Sequence, residues 1–371
     1  MSLSEVQIDR EALVGNLRKL KHLAPPCALA CVVVKGNAYG HGLAQVIESL
    51  CAEADCFQVD DFFELESLRK VTAKRALVLG YMTPEETAEA IRLGCELAAF
   101  DLDHLRTIDE IARGLKIRVK VHLKVDALLG RLGVLPSEFD KLLAEIGNFP
   151  QIHLQAIYAH FANIEDTTDL THAEAQRSQF AEVEALLASR GIVAPSHISA
   201  TSGLMTLEAS RPRSMVRLGI GVYGMYPSGP LARTRSSIDL RPALRWVSRL
   251  AQVKDLPAKH PVGYGLTYVT SKPTRIGIVP QGYSDGYDRG LSNSGEVLIG
   301  GARCPVIGRV AMNMFAVDLS PCPYARRDDE VVLIGRQGSE DLLAEELATR
   351  LGTINYEVTA RISPLLPRKL V

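Results

Sequence analysis

The chain has 371 residues, 47 % of them apolar, and a formal net charge of −1 from 42 basic and 43 acidic side chains. That balance has no basic block for a nucleic acid or an anionic membrane surface, and no apolar run approaches the ~18–20 residues that span a bilayer. The seven cysteines (Cys27, Cys31, Cys51, Cys56, Cys95, Cys304, Cys322) form no CxxC pair, the nine histidines show no metal-ligand spacing, and the first residues, MSLSEVQIDREAL, lack a signal-peptide profile. These features predict a cytoplasmic protein with reduced thiols and no metal.

Along the first 235 residues, short β-branched runs alternate with longer segments of helical period. The strand candidates are 28–35, 56–59, 76–80, 97–101, 117–125, 154–160, 196–200 and 216–220. The helical candidates between them are 43–54, 61–70, 84–93, 103–112, 136–146 and 171–189. Pro84 and Pro136 stand where a first-turn proline would, with Thr83 as an N-cap. Strands separated by helices pair in parallel through right-handed crossovers, and eight such units predict a (β/α)8 barrel; an open doubly wound sheet uses the same alphabet.

Beyond about residue 235 the pattern changes to alternating runs such as TRIGIVPQGY and GEVLIGGARCPVIGRV, broken by Gly, Pro, Asn and Ser. Only 339–352, SEDLLAEELATRLG, reads as a helix there, with Gly352 as its C-cap. The chain thus reads as an α/β (β/α)8 TIM barrel over 1–235 followed by a smaller, mainly β domain over 236–371, and the first ten or so residues are candidates to pair with that second domain.

In such a barrel the reactive groups collect at the C-terminal ends of the strands. Lys35 ends the first strand candidate, Lys124 lies near the end of the fifth, His160 ends the sixth, Thr201 and Ser202 follow the seventh, and Arg217 and Gly219 lie in the eighth. The eighth runs into a Gly-rich turn whose amides suit a phosphate. An amine at the barrel mouth beside a phosphate cradle suggests a Schiff base to a phosphorylated aldehyde, of which pyridoxal 5′-phosphate is the common example. A lone lysine at a strand end is equally an ordinary solvated terminator.

The segment VVVKGNAYGHG (32–42) closely resembles the cofactor-lysine segment of alanine racemases. HLKVDALLGRLGV (122–134), YAHFA (158–162), MVRLGIGVYGMYP (215–227), VGYGLTY (262–268), GYSDGY (282–287), GRVAMN (308–313) and INYEV (354–358) follow that family in the same order, over nearly the whole chain. The resemblance implies a (β/α)8 barrel plus a β domain, pyridoxal 5′-phosphate as cofactor, and a homodimer with shared active sites. The implied activity interconverts L- and D-alanine, which supplies D-alanine as a peptidoglycan precursor.

By that resemblance Lys35 holds the cofactor covalently and serves as one catalytic base, and Tyr264 of the partner subunit serves as the other. Racemisation needs a proton acceptor on one face of Cα and a donor on the opposite face. His160 and Arg217 would tune Tyr264, and Arg217 would face the pyridine nitrogen. Tyr39, Ser202, the amides of Gly219 and Ile220, and Tyr356 would hold the phosphate. Arg131 would donate to the phenolic oxygen and lie near the substrate carboxylate, which the Met312 amide would also hold. Lys124 matches a lysine carbamylated in many members, and Tyr283 would line the entrance. Glu165, Arg289 and Arg309 fall where the family has charged residues along its access corridor.

Three departures stand out from the family pattern. Leu128 replaces a glycine, which matters if φ is positive there; Asn313 replaces a carboxylate; and Thr201 replaces an asparagine. They leave serine or a larger amino acid as an alternative substrate. A cofactor-binding protein without turnover is the further alternative, disfavoured by Tyr264 and Met312 in a complete second domain.

Overall fold

A computed structural model of the chain describes residues 3–207 and 214–371. The chain divides into two compact units: residues 13–35 with 46–241, and residues 1–12 with 36–45 and 242–371.

In the first unit, eight strands form one sheet among the described residues: β2 (Leu29–Val33), β3 (Cys56–Val59), β4 (Ala76–Val78), β5 (Glu96–Ala99), β6 (Val119–Lys124), β7 (Ile152–Tyr158), β8 (Ser196–His197) and β9 (Met215–Leu218). Every pairing is parallel, β2 through β8 lie side by side in sequence order, and β9 returns to pair with β2. The seam between β8 and β9 is held by an Ala200–Arg217 bridge and by Arg217 N–H to Ser199 O at 3.0 Å. The eight parallel strands make a nearly closed barrel, as the alternation of strand and helix signals predicts.

Local chemistry explains the element ends. Thr83 and Glu86 form a reciprocal capping box on the helix Pro84–Arg92. Asp61 and Asp101 cap the helices Phe62–Arg69 and Leu102–Leu115 by accepting from Glu64 N–H and His104 N–H. Strands β2, β3 and β4 are almost wholly buried, which is why they read as nearly continuous apolar runs.

The second unit is built on a sheet containing β1 (Glu5–Ile8), β10 (Leu244–Arg249), β11 (Gln252–Leu256), β12 (Thr274–Val279), β13 (Glu296–Ile299), β14 (Ala302–Ile307), β15 (Phe315–Asp318), β16 (Glu330–Gln337), β17 (Glu340–Leu342) and β18 (Arg368–Leu370). β1 pairs antiparallel with β10 and parallel with β18. In its core, Tyr287 stacks on Phe315 at 4.4 Å and meets Trp246 edge-on at 6.2 Å.

Two expectations for this unit are corrected. The helix expected over 339–352 starts only at Ala344, because Gly338 (φ +65°) turns the chain and Glu340–Leu342 pairs back on β16. Its C-terminal end is as expected, with Gly352 left-handed at φ +67°. A second short helix, Asn355–Ala360, falls on the INYEV motif, whose β-branched residues conceal it.

Candidate active site

The first site element is the turn that follows β2. From Gly36 to Tyr39 four consecutive residues have φ between +52° and +62°, so the chain makes one turn of left-handed helix, closed by Gly40 N–H to Gly36 O at 2.9 Å. L-residues lose roughly 1–2 kcal/mol each in that conformation, and three of the four are not glycine. Neighbouring groups hold the turn. Asn37 Oδ1 accepts from Leu43 N–H at 2.9 Å, and the fully buried His41 places Nδ1 3.0 Å from Tyr39 O. Burial lowers the His41 pKa to about 4, so the ring is neutral and Nδ1–H donates to that carbonyl. His41, to which the sequence assigns no role, is therefore a brace for this turn.

Lys35 stands exposed at the start of the turn, its Nζ 3.2 Å from Asp60 Oδ1. Within the barrel unit it belongs to a group of cations with Lys124, Arg131 and Arg217. Burial lowers the Lys124 ammonium to about 8, and Arg131, Arg217 and Lys35 add to the shift. His160, just past β7, is lowered to about 3 by burial and then by Arg217, Arg131, Lys124 and Lys35.

Arg217 is buried in β9, and among the described residues its hydrogen bonds go to carbonyls and imidazoles, not to a carboxylate. Nη2 donates to Ala159 O (2.9 Å), Ile198 O (3.2 Å) and His160 Nδ1 (3.1 Å), and Nη1 donates to His197 Nδ1. Its guanidinium carbon lies 5.5 Å from the centroid of the Tyr158 ring, and that ring stacks on His197 at 5.2 Å.

Arg131 is exposed on the loop after β6. Asp126 Oδ1 accepts from the Leu129 and Gly130 amides at 3.0 Å each, and Gln176 Nε2 donates to Ala127 O (2.7 Å) and His160 O (3.1 Å). Gln176 thereby ties the Arg131 loop to the His160 loop. Leu128 has φ +57°, so the departure from glycine does place a leucine in the left-handed region.

Ser202 is buried beyond β8 and hydrogen-bonds the Glu165 side chain. Gly219 and Ile220 begin a 3-10 turn directly after β9. The Gly219 amide donates to Thr201 Oγ1 at 3.1 Å, so of the two amides expected at the phosphate this one already has a partner.

The remaining predicted residues belong to the second unit. Tyr39 and Tyr356 lie with ring centroids 5.9 Å apart. Tyr264 is 74 % exposed on a loop held by Thr270, whose hydroxyl donates to Pro257 O at 2.7 Å and accepts from His260 N–H at 2.9 Å. Met312 and Tyr283, both exposed, sit on two loops fastened together: Ser284 Oγ donates to Met312 O (2.8 Å) and Asn313 Nδ2 donates to Ser284 Oγ (2.9 Å).

The donor set fits an anionic, phosphorylated cofactor. Three further cations cluster with the strand-end amine of Lys35, and the repulsion of Arg131, Arg217 and Lys35 lowers Lys124 beyond burial alone. Among the described residues no carboxylate hydrogen-bonds the buried Arg217, which leaves a donor suited to an uncharged ring nitrogen. Sequence reasoning missed Tyr158, Gln176 and His197 as parts of this site. Only Gln176 left a signal: it takes a core position in the stripe Ala173, Gln176, Phe180, Val183, Leu187 of the helix Thr171–Ser189.

A family model described as alanine racemase, N-terminal domain, matches residues 8–227, and one described as alanine racemase, C-terminal domain, matches 243–370. A protein of Syntrophobacter fumaroxidans named alanine racemase is 40 % identical over 365 residues, covering 98 % of this chain and 96 % of that one. One of Symbiobacterium thermophilum with the same name is 37 % identical over 367 residues, with coverage of 98 % and 95 %. Among solved structures, alanine racemase of Clostridium difficile 630 superposes with a TM-score of 0.93 at 31 % identity, covering 100 % of this chain and 96 % of that one. Alanine racemase of Bacillus anthracis with bound L-Ala-P superposes with a TM-score of 0.92 at 30 % identity, covering 100 % and 95 %.

Proposed function

The chain belongs to the alanine racemase family of pyridoxal 5′-phosphate-dependent isomerases, and on that premise we propose that it racemises alanine with two bases, Lys35 and the Tyr264 of a second copy. The observation that carries this reading is the group of Lys35, Lys124, Arg131, His160 and Arg217 gathered at the strand ends of one barrel.

When bound, the cofactor supplies an electron-withdrawing ring that acidifies the substrate Cα proton. Lys35 Nζ exchanges that proton on one face and Tyr264 Oη on the other. A single base would return the proton to the face it left. Arg217 offers a donor to the ring nitrogen, and being cationic it disfavours protonation there, which keeps charge at Cα and suppresses transamination. His160, neutral and accepting at Nδ1 from Arg217, keeps its Nε2–H to donate to the Tyr264 oxygen. Tyr39, Tyr356, Ser202 and the Gly219 and Ile220 amides would hold the phosphate, with the Gly219 amide exchanging its bond to Thr201 for one to phosphate. Arg131 would hold the phenolic oxygen and, with the Met312 amide, the substrate carboxylate, and Tyr283 would line the entrance. A Lys124 amine near 8 is neutral in roughly one molecule in ten at pH 7, the form that adds CO2 and releases a proton to become an anionic carbamate able to fix Arg131.

Tyr264, Leu266, Met312 and Met314 are more than half exposed, an unusual display of large apolar side chains that suits burial against a second copy. The test mixes two inactive variants. Lys35→Ala and Tyr264→Phe, unfolded and refolded together, form half heterodimers, each with one intact site, and recover about one quarter of wild-type L-alanine racemisation by chiral chromatography. No recovery from the mixture, with each variant folded and dimeric, would falsify the shared site. A wild-type protein that converts serine and not alanine would overturn the substrate.

A further inference from the structure

Arg217 is the end of a longer chain of hydrogen bonds that crosses the barrel interior. Its Nη1–H meets His197 Nδ1. His197 Nε2 lies 2.8 Å from His122 Nδ1, and His122 Nε2 lies 2.8 Å from Glu96 Oε2. Glu96 in turn receives a two-pronged contact from Arg75, Nε to Oε1 and Nη2 to Oε2, both 2.7 Å, with Lys120 Nζ 3.7 Å away. Glu96 is 4 % exposed, Arg217 3 %, and both histidines are fully buried. These residues come from β5, β6, β8 and β9 and from the residue before β4.

The polarity of this chain is determined. A carboxylate only accepts, so His122 Nε2 carries hydrogen. A neutral His122 then presents a bare Nδ1, which requires His197 to carry hydrogen on Nε2. A neutral His197 has a bare Nδ1, the only form that accepts from a guanidinium. Burial lowers the His122 pKa, consistent with a neutral ring. Burial alone would raise the Glu96 carboxyl, but hydrogen bonds from His122 and Arg75 outweigh it and hold the group at about 2. The opposite tautomer of His197 would set an N–H against Nη1–H, and Arg217 would have to rotate away.

We propose that Glu96 and His122 are positioning residues for racemisation: through them the barrel core fixes the tautomer of His197, and His197 fixes the aim of Arg217 at the cofactor ring and at His160. This rests on Arg217 facing the ring nitrogen. Its consequence for the chemistry is a division of labour. Arg75 and Lys120 keep Glu96 ionised at one end, and at the other Arg217, held by imidazoles and carbonyls, stays a fixed cationic donor that does not protonate the ring.

The experiment uses purified holoenzyme with 15N-labelled histidine, wild type against Glu96→Gln, His122→Leu, His197→Leu and His197→Asn. Imidazole 15N spectra of the wild type show two buried neutral rings protonated at Nε2, assigned by their loss in the two leucine variants. In Glu96→Gln the His122 and His197 tautomers become mixed, kcat for L-alanine falls about 10- to 100-fold with KM little changed, and transamination takes a larger share of turnovers. His197→Asn, which keeps an acceptor near the Nδ1 position, recovers part of the kcat that His197→Leu loses. An unchanged His197 tautomer in Glu96→Gln overturns the relay. Mixed tautomers with kcat and the transamination share both unchanged leave the relay as mere packing and equally overturn the proposal. The nitrogen spectra report on the relay even in protein that turns over no alanine, so failure of the relay and failure of the racemase reading are told apart.

Discussion

Leu128 carries its side chain at φ +57°, where a β-carbon crowds the following carbonyl, and packing gives little in return because the side chain is 43 % exposed. Glycine at this position relieves roughly 1–2 kcal/mol of strain and loses about 0.5–1 kcal/mol through the entropy of the unfolded chain, so Leu128→Gly should stabilise the protein by up to about 1.5 kcal/mol. Urea unfolding measures the difference, and a drop in stability would mean that the leucine's contacts outweigh the strain. Position 128 was legible as a problem because a glycine is expected there, and the structure supplies the sign of φ that makes it one. The role of His41 was not legible. Nothing in VVVKGNAYGHG says that a histidine will fold back 3.0 Å onto Tyr39 O, because that contact exists only once the turn is left-handed.

The turn 36–42 separates what sequence patterning conveys about an element from what it leaves out. Three glycines among seven residues predict a turn, yet they do not predict that Asn37, Ala38 and Tyr39 will also take positive φ. The barrel strands were legible where they are almost wholly buried and so written in apolar residues, as in β2, β3 and β4; β8, only Ser196–His197, is too short to display a period. The helix 355–360 was not, since six residues are too few to display a period. Within the second unit the turn packs on that helix, and the glycines distinguish two costs. A β-carbon on Gly36 (φ +62°) meets nothing within 4 Å, whereas one on Gly40 (φ +83°) would sit 1.9 Å from Thr359 O. Gly36→Ala therefore costs only backbone strain, about 1–2 kcal/mol. Gly40→Ala must also push two main chains apart, so it costs more and disturbs the Tyr39–Tyr356 pair. Urea midpoints rank the two variants, and cofactor absorbance after dialysis should fall only for Gly40→Ala. Equal midpoints would mean that the contact at Thr359 yields easily.

At the scale of the molecule, residues far apart in sequence act together only because the topology closes. Glu96, His122 and His197 are separated by 26 and 75 positions, and no spacing rule connects a strand-initial glutamate to two strand histidines until β5, β6 and β8 share one interior. The same burial makes stability depend on pH with a definite sign. His41 falls from 6.5 to about 4 and His160 from 6.5 to about 3, mainly through burial, and His122 and His104 are lowered for the same first cause. Each binds a proton more readily in the unfolded chain, so each contributes stability that is complete above 6.5 and is lost as pH falls towards its folded value. Glu96, held near 2 against 4.5, acts in the same direction over a lower window, its contribution complete above 4.5 and lost as pH falls through 2. Glu165, raised by burial, opposes them as a single group. The urea midpoint should thus fall steadily from pH 6.5 downward, and Glu96→Gln should track the wild type's slope above pH 4.5 and run flatter below it. A midpoint that stays level from pH 6.5 to pH 4.5 would show that the histidines are not held neutral, and with charged rings the hydrogen-bond polarity from Glu96 to Arg217 would have to be redrawn.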